Sequence, residues 1–143
     1  MIPVAFTVPG VPQVQGNHRV SRAGYTYDAN PNLKAWRNLV SLHARRAMVS
    51  HRLQTPIRGA VYLEIEFVMP RTKAMRKDPP PPMIQRPDSL KLARAIEDAC
   101  AGILYADDSQ IVHHDIRKRR ANLREQPHAK ITIAPAPQGP PTK

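Results

Sequence analysis

The sequence predicts a single α+β domain, two helices against a small mixed sheet in the order β-α-β-α-β-β. Three observations point there. The 143 residues suit one core rather than two. Apolar residues alternate in short segments and recur at three- and four-residue steps in two longer ones. There is no internal repeat, and 16 prolines with only 5% aromatics leave a modest core. The domain is assigned to residues 1–135, and "APQGPPTK" forms a frayed tail over 136–143.

"IPVAFTV" (Ile2–Val8) is rich in β-branched residues and stops at Pro9-Gly10, so it reads as a first strand. The polar, Gly- and Pro-broken stretch that follows is a loop, with a hairpin around Arg22-Ala23-Gly24. From Asn32 the period changes. Leu33, Trp36, Val40, Ala44, Ala47 and Met48 share one helical face, and Asn30 or Asn32 would cap the helix. In Ala60–Met69, Val61, Leu63, Ile65 and Phe67 alternate with Glu64 and Glu66, the pattern of a half-buried strand. Residues 70–87 form a basic, proline-rich loop, because four consecutive prolines forbid a helix or central strand. A second helix starts at Asp88, its cap, and buries Leu92, Ile96, Ala99, Cys100 and Ile103. "QIVHHDIRKRRA" and "PHAKITIAP" read as two strands, an antiparallel pair joined near Asn122–Gln126.

Charge narrows the partner. Lys plus Arg number 22 against 11 for Asp plus Glu, a formal net charge of +11, which favours a polyanion, nucleic acid first. No apolar run reaches the roughly 18 residues of a membrane span. One cysteine, Cys100, excludes an internal disulfide and suits a reducing cytoplasm. Cys and His clusters at zinc spacing are missing, so any metal should be hard and oxygen-ligated.

The acidic residues are few and grouped. Asp88 opens the second helix; Asp107 and Asp108 follow its end, just ahead of the most basic strand. Asp88 would serve as a plain cap, and Lys91, Arg94 and Asp98 as a solvated polar face with weak ion pairs. If helix start and strand start meet at one sheet edge, however, Asp88, Asp107 and Asp108 converge. Magnesium commonly takes one or two carboxylates plus waters and phosphate oxygens, and can activate water against a phosphodiester. A nearby Lys or Arg would steady the transition state. Leu90 stands out, a large apolar residue on the polar side of the first turn.

"RPDSLKLARAIEDACAGILYADDSQIVHHDIRKR" resembles the Holliday-junction resolvases of the RusA family. Their motif opens a helix with Asp-x-Asp-Asn, places Lys or Arg a turn later and then an Asp, and follows with Asp-Asp-(Ser/Ala)-Gln-Val before a strand ending in Lys. Here those features fall on Asp88, Arg94, Asp98, Asp107-Asp108-Ser109-Gln110-Ile111 and Lys118. "VPGVPQVQGNHR" is similar to the family's opening strand and turn. The resemblance implies a homodimeric, magnesium-dependent endonuclease, with manganese as the alternative ion, that nicks two opposed strands of a four-way DNA junction. Many members come from phages and prophages. It implies metal ligation by Asp88 and Asp108 with Asp107 beside them, and a phosphate-facing role for Arg94. Lys118 and the run Arg117, Arg119 and Arg120 would bind DNA backbone. Lys91 and the loop cations Arg71, Lys73, Arg76 and Lys77 are further candidates for phosphate contact. The family's second helix-start aspartate falls on Leu90, which cannot ligate a metal. Asp98, ahead of Glu97, would replace it; Asp88, Asp107 and Asp108 with waters are the simpler set. A junction-binding protein with a decayed site is the alternative.

Overall fold

The computed structural model describes residues 3–137. It contains β1 (Val4–Pro9), β2 (His18–Val20), β3 (Thr26–Asp28), α1 (Leu33–Ser50), β4 (Val61–Met69), α2 (Ser89–Cys100), β5 (Ile111–Arg120) and β6 (His128–Pro135). A four-stranded mixed sheet has the order β1-β6-β4-β5, and β2 and β3 form a separate hairpin. Ile2 and most of the expected tail, from residue 138 on, lie outside the described residues.

Hydrophobic patterning decides the layers. Val61, Leu63, Ile65 and Phe67 of β4 are buried against Trp36, Val40 and Ala44 of α1 and Leu92 and Ile96 of α2. Each such side chain, fully removed from water, contributes roughly 1.5–3 kcal/mol. Glu64 and Glu66 emerge on the opposite face. The hairpin turns where the sequence places it: Ser21 N–H donates to Tyr25 O at 2.8 Å, and Gly24 takes a φ of +89°, open to glycine without strain. At α1, Asn32 holds the cap position without a side-chain bond to the helix, while Asn30 Oδ1 accepts from Asn32 N–H at 3.0 Å.

One expectation is corrected. β5 and β6 are not paired with each other; β4 lies between them, parallel to β5 and antiparallel to β6. β4 has the most continuous apolar sequence of the three, so it takes the centre. β5, with His113, His114, Asp115 and Arg117 at its surface, is polar enough to serve as an edge. The 121–127 segment therefore crosses the end of β4, where Ala121 N–H donates to Met69 O at 2.8 Å.

The proline-rich loop 70–87 is anchored rather than a free arm. Arg71 Nη1 donates to Ala121 O at 3.0 Å and its Nη2 to Lys77 O at 2.8 Å. Arg120 Nη1 reaches Pro70 O at 2.9 Å, and Lys118 Nζ bridges Gln85 O and Pro87 O at 2.8 and 2.9 Å. Met83 is buried beneath.

The β5–β6 connection is held by a forked ion pair. Arg119 Nη1 and Nη2 donate to Glu125 Oε1 and Oε2 at 2.6 and 2.8 Å, and Asn122 N–H donates to Glu125 Oε1 at 2.9 Å. The guanidinium, then the Asn122 N–H, pull the Glu125 carboxyl from its ordinary 4.5 down to about 2. A depressed carboxyl adds stability that is complete above the ordinary value and vanishes as pH falls through the lowered one. Glu125→Gln should therefore lose about 1 kcal/mol at neutral pH, solvent screening considered. The gap from the parent should close between about pH 4.5 and about pH 2 in denaturant melts. A gap that stays constant over that range would refute this account.

Candidate functional site

α2 carries the site's framework. Leu92, Ile96, Ala99 and Cys100 face the core, which leaves Lys91, Arg94 and Asp98 outward along one side. Asp88 caps the helix: its Oδ1 accepts from Leu90 N–H at 2.8 Å and Lys91 N–H at 3.3 Å. The segment after β1 lies along this polar side. Gln15 N–H donates to Lys91 O at 3.0 Å, the Gln15 amide donates to the Asp98 carboxylate, and Lys91 Nζ donates to Asn17 Oδ1 at 2.8 Å. Gly16, at φ +113°, lets the chain approach; a Cβ there would meet the Lys91 side chain at 3.9 Å. These partners of α2 lie over 70 residues upstream, and only the "QVQGN" turn pattern hinted at them.

Past α2 the chain turns at Gly102, with φ +81°, and buries Tyr105, whose hydroxyl donates to Glu97 O at 2.6 Å. "ADDSQ" then folds into a single 3-10 turn over Asp108–Gln110. Asp107 Oδ1 accepts from Ser109 N–H at 2.9 Å, while Gln110 Oε1 accepts from Ala106 N–H at 2.8 Å and Asp107 N–H at 3.0 Å. The Gln110 amide also donates to Ile57 O and Gly59 O, at 2.9 and 3.0 Å. Gln110 thus locks the acidic pair onto the segment before β4, a role the sequence reading did not assign.

The two carboxyl groups of this turn act on each other directly. The Ser109 N–H, then the interaction with Asp108, hold Asp107 below the usual carboxylate range. The interaction with Asp107 raises Asp108 above it, followed by desolvation and the charges of Asp107 and Asp98, with Arg94 opposing. Asp98, Asp107, Asp108 and Arg94 thus share one electrostatic neighbourhood. Such a pair holds either a shared proton or a cation between its oxygens. Two carboxylates with open solvent around them fit the donor set that magnesium accepts.

Asp88 does not join them. α2 has 12 residues, about 18 Å of helix, and Asp88 stands at its start while Asp107 and Asp108 follow its end. Among the described residues, no three Asp, Glu, His or Cys side chains are placed to enclose a metal ion. Asp88 instead lines a cavity of about 600 Å³ with Lys91, Arg86, Asn17, Ile84 and Lys118. Leu90 is 69% exposed nearby. On β5, His114 Nε2 meets Glu97 Oε1 at 2.5 Å, so the two adjacent histidines do not act as a ligand pair.

The expected phosphate contacts divide. Lys73, Arg76 and Lys77 are exposed. Arg71, Lys118 and Arg120 are tied to main-chain carbonyls, Arg119 to Glu125 and Glu66, and Arg117 to Asp115 at 3.2 Å. Lys91 keeps its exposed position but spends one donor on Asn17.

No helix among the described residues is long and apolar enough to cross a membrane. Comparison with known proteins adds two findings. An uncharacterized protein of Bacillus subtilis (strain 168), YqaN, is 28% identical over 141 residues, covering 91% of this chain and 94% of that protein. The family model described as Endodeoxyribonuclease RusA matches residues 9–134, which include β1's last residue, α2 and the whole Asp107–Gln110 turn. The chain belongs to the RusA endodeoxyribonuclease family.

Proposed function

We propose that the protein is a magnesium-dependent, structure-selective endonuclease that resolves four-way (Holliday) DNA junctions by paired, symmetric nicking as a homodimer. The observation that carries this reading is the adjacent Asp107–Asp108 pair, presented on a turn fixed by Ser109 and Gln110 within reach of the charges of Asp98 and Arg94, on a chain of net charge +11. Asp107 and Asp108 would hold the ion, with Asp98 as the nearest further carboxylate. The bound ion would supply an activated water and neutralise charge on the scissile phosphate. Arg94, exposed on α2 and close enough to Asp108 for its charge to act there, would meet a nonbridging phosphate oxygen. Ser109 N–H holds the Asp107 carboxylate, and Gln110 fixes the main chain of the turn that carries both acids, before DNA arrives. Backbone charge and junction shape, rather than base edges, would provide most of the affinity.

A second reading is favoured by Leu90. An exposed leucine at the family's second helix-start acid, together with an Asp88 remote from Asp108, fits a junction-binding protein whose metal site has decayed.

Incubation with a synthetic four-way junction and magnesium, resolved on a denaturing gel, should give nicks at symmetric positions on two opposed strands. Asp108→Asn should reduce them by about 100-fold or more, with junction affinity kept within about threefold, as expected of a group that acts in the chemistry rather than in backbone binding. Tight binding by the parent without nicks, in magnesium or manganese, would favour the decayed site.

Leu90→Asp separates the two readings further. Position 90 is exposed and α2 has no acid in its first turn, so the new carboxylate should stabilise the helix by about 0.3–1 kcal/mol. If Asp107 and Asp108 suffice, nicking should change less than about threefold, since no transition-state contact is added. A gain of tenfold or more would place a ligand at the start of α2 and mark the natural site as impaired.

A further inference from the structure

The groove between α1 and the C-terminal turn of α2 is unaccounted for. It is a cavity of about 520 Å³ lined on one side by Lys34, Arg37, Ser41 and Arg45, with Asp28 and Asp98 at its borders. Positions 34, 37, 41 and 45 advance by three, four and four residues, which aligns them along one stripe of the helix. α1 contains no acidic residue. Its cations take part in none of the ion pairs or side-chain hydrogen bonds among the described residues. The two acids of the groove are already engaged. Asp28 accepts from Gly16 N–H at 2.8 Å and Asn30 N–H at 2.9 Å, and Asp98 accepts from the Gln15 amide.

A stripe of unpaired cations next to two satisfied carboxylates is arranged for an anion supplied from outside. Its length fits a polymer rather than a single phosphate. From Lys34 to Arg45 the helix rises about 16 Å, roughly five nucleotide steps at about 3.4 Å of rise per strand. One border of the groove is Asp98, whose charge also acts on Asp108. A strand lying here would lead directly to the carboxyl pair.

We infer that this groove seats the sugar–phosphate backbone of one DNA strand, with Lys34, Arg37 and Arg45 as its phosphate contacts and Ser41 between them. The inference rests on the junction-nuclease reading and adds to it a binding track on α1, separate from the cations of β5 and the proline-rich loop. The contacts are to backbone only, so they govern affinity and salt dependence and not base choice.

The test is fluorescence anisotropy of a labelled four-way junction in chelator-containing buffer across a salt series. Arg37→Ala/Arg45→Ala should weaken binding about tenfold near 0.1 M salt and lower the log–log salt slope by about 1.8, or about 0.9 per lost phosphate contact. Arg46→Ala/Arg52→Ala removes the same charge from exposed positions outside the groove and should change the slope by less than about 0.5, because charge away from the track releases few counterions. Arg37→Lys/Arg45→Lys should retain most of the slope. Should the alanine pair not fold in a thermal melt, Arg45→Glu alone, at an exposed site, should shift affinity in the same direction. Equal weakening by both alanine pairs, or none by the groove pair, overturns the groove while parent binding and nicking keep the nuclease reading intact. A parent protein with no affinity for the junction overturns both.

Discussion

The parallel pairing of β4 with β5 sets the position of everything chemical in this protein. Two parallel neighbours require a crossover, and α2 is that crossover, running back against both strands. Its start must therefore lie by the late residues of β5 and its end by the first ones. The contacts follow that rule: Lys118, far along β5, holds Pro87 O beside Asp88, while Asp107 and Asp108 introduce β5 just beyond α2. Separation of the two acidic positions by a helix length is thus imposed by strand direction, and no side-chain rotation within one chain can close it.

Much of the fold was legible because it depends on local period and local capping. The apolar stripes of α1 and α2, the alternation of β4, the Asp88 cap and the turn at Gly24 all follow from residues within one or two turns of each other. The pairing of β5 was not legible in that way. A polar strand followed by an apolar strand after a short polar segment reads as a hairpin, and only competition for the buried central position gives that place to β4. The anchoring of the proline-rich loop was hidden for a related reason. Its anchors are arginines and a lysine that bond main-chain carbonyls roughly 30 to 50 residues away, and a cation's sequence context does not reveal such a partner.

In sequence, the run Arg117 to Arg120 is the obvious place for a polyanion, yet in the fold Arg119 and Arg120 are half-buried and engaged. A buried guanidinium that fills its donors internally has little left for a phosphate, whereas a partnerless one on an acid-free helix keeps all of its donors. Density of positive charge along the chain therefore does not show which donors are free; their distribution in the fold does. On that measure α1 outranks β5, though its cations are spread over a helix and look like an ordinary solvated face.

Leu90 and Gln110 show how local physics separates structural from chemical residues. Gln110 accepts two N–H groups and donates to two carbonyls, so the turn that presents Asp107 and Asp108 demands it whatever the protein does. Leu90 is the opposite case. It is mostly exposed, it caps nothing, and an aspartate there would suit the start of α2 better on electrostatic grounds. A fold that is indifferent to a residue, or would prefer another, imposes no structural reason for it. Where a family motif calls for an acid and the chain places a leucine at such an indifferent position, the scaffold does not account for the substitution. Ile84, 87% exposed on the lip of the Asp88 cavity that Lys118 and Lys91 also line, is a second such residue. Two exposed aliphatic side chains among cations give the start of α2 an apolar surface, while the turn beyond its end presents carboxylate oxygens, so polarity is divided between the two ends of one helix.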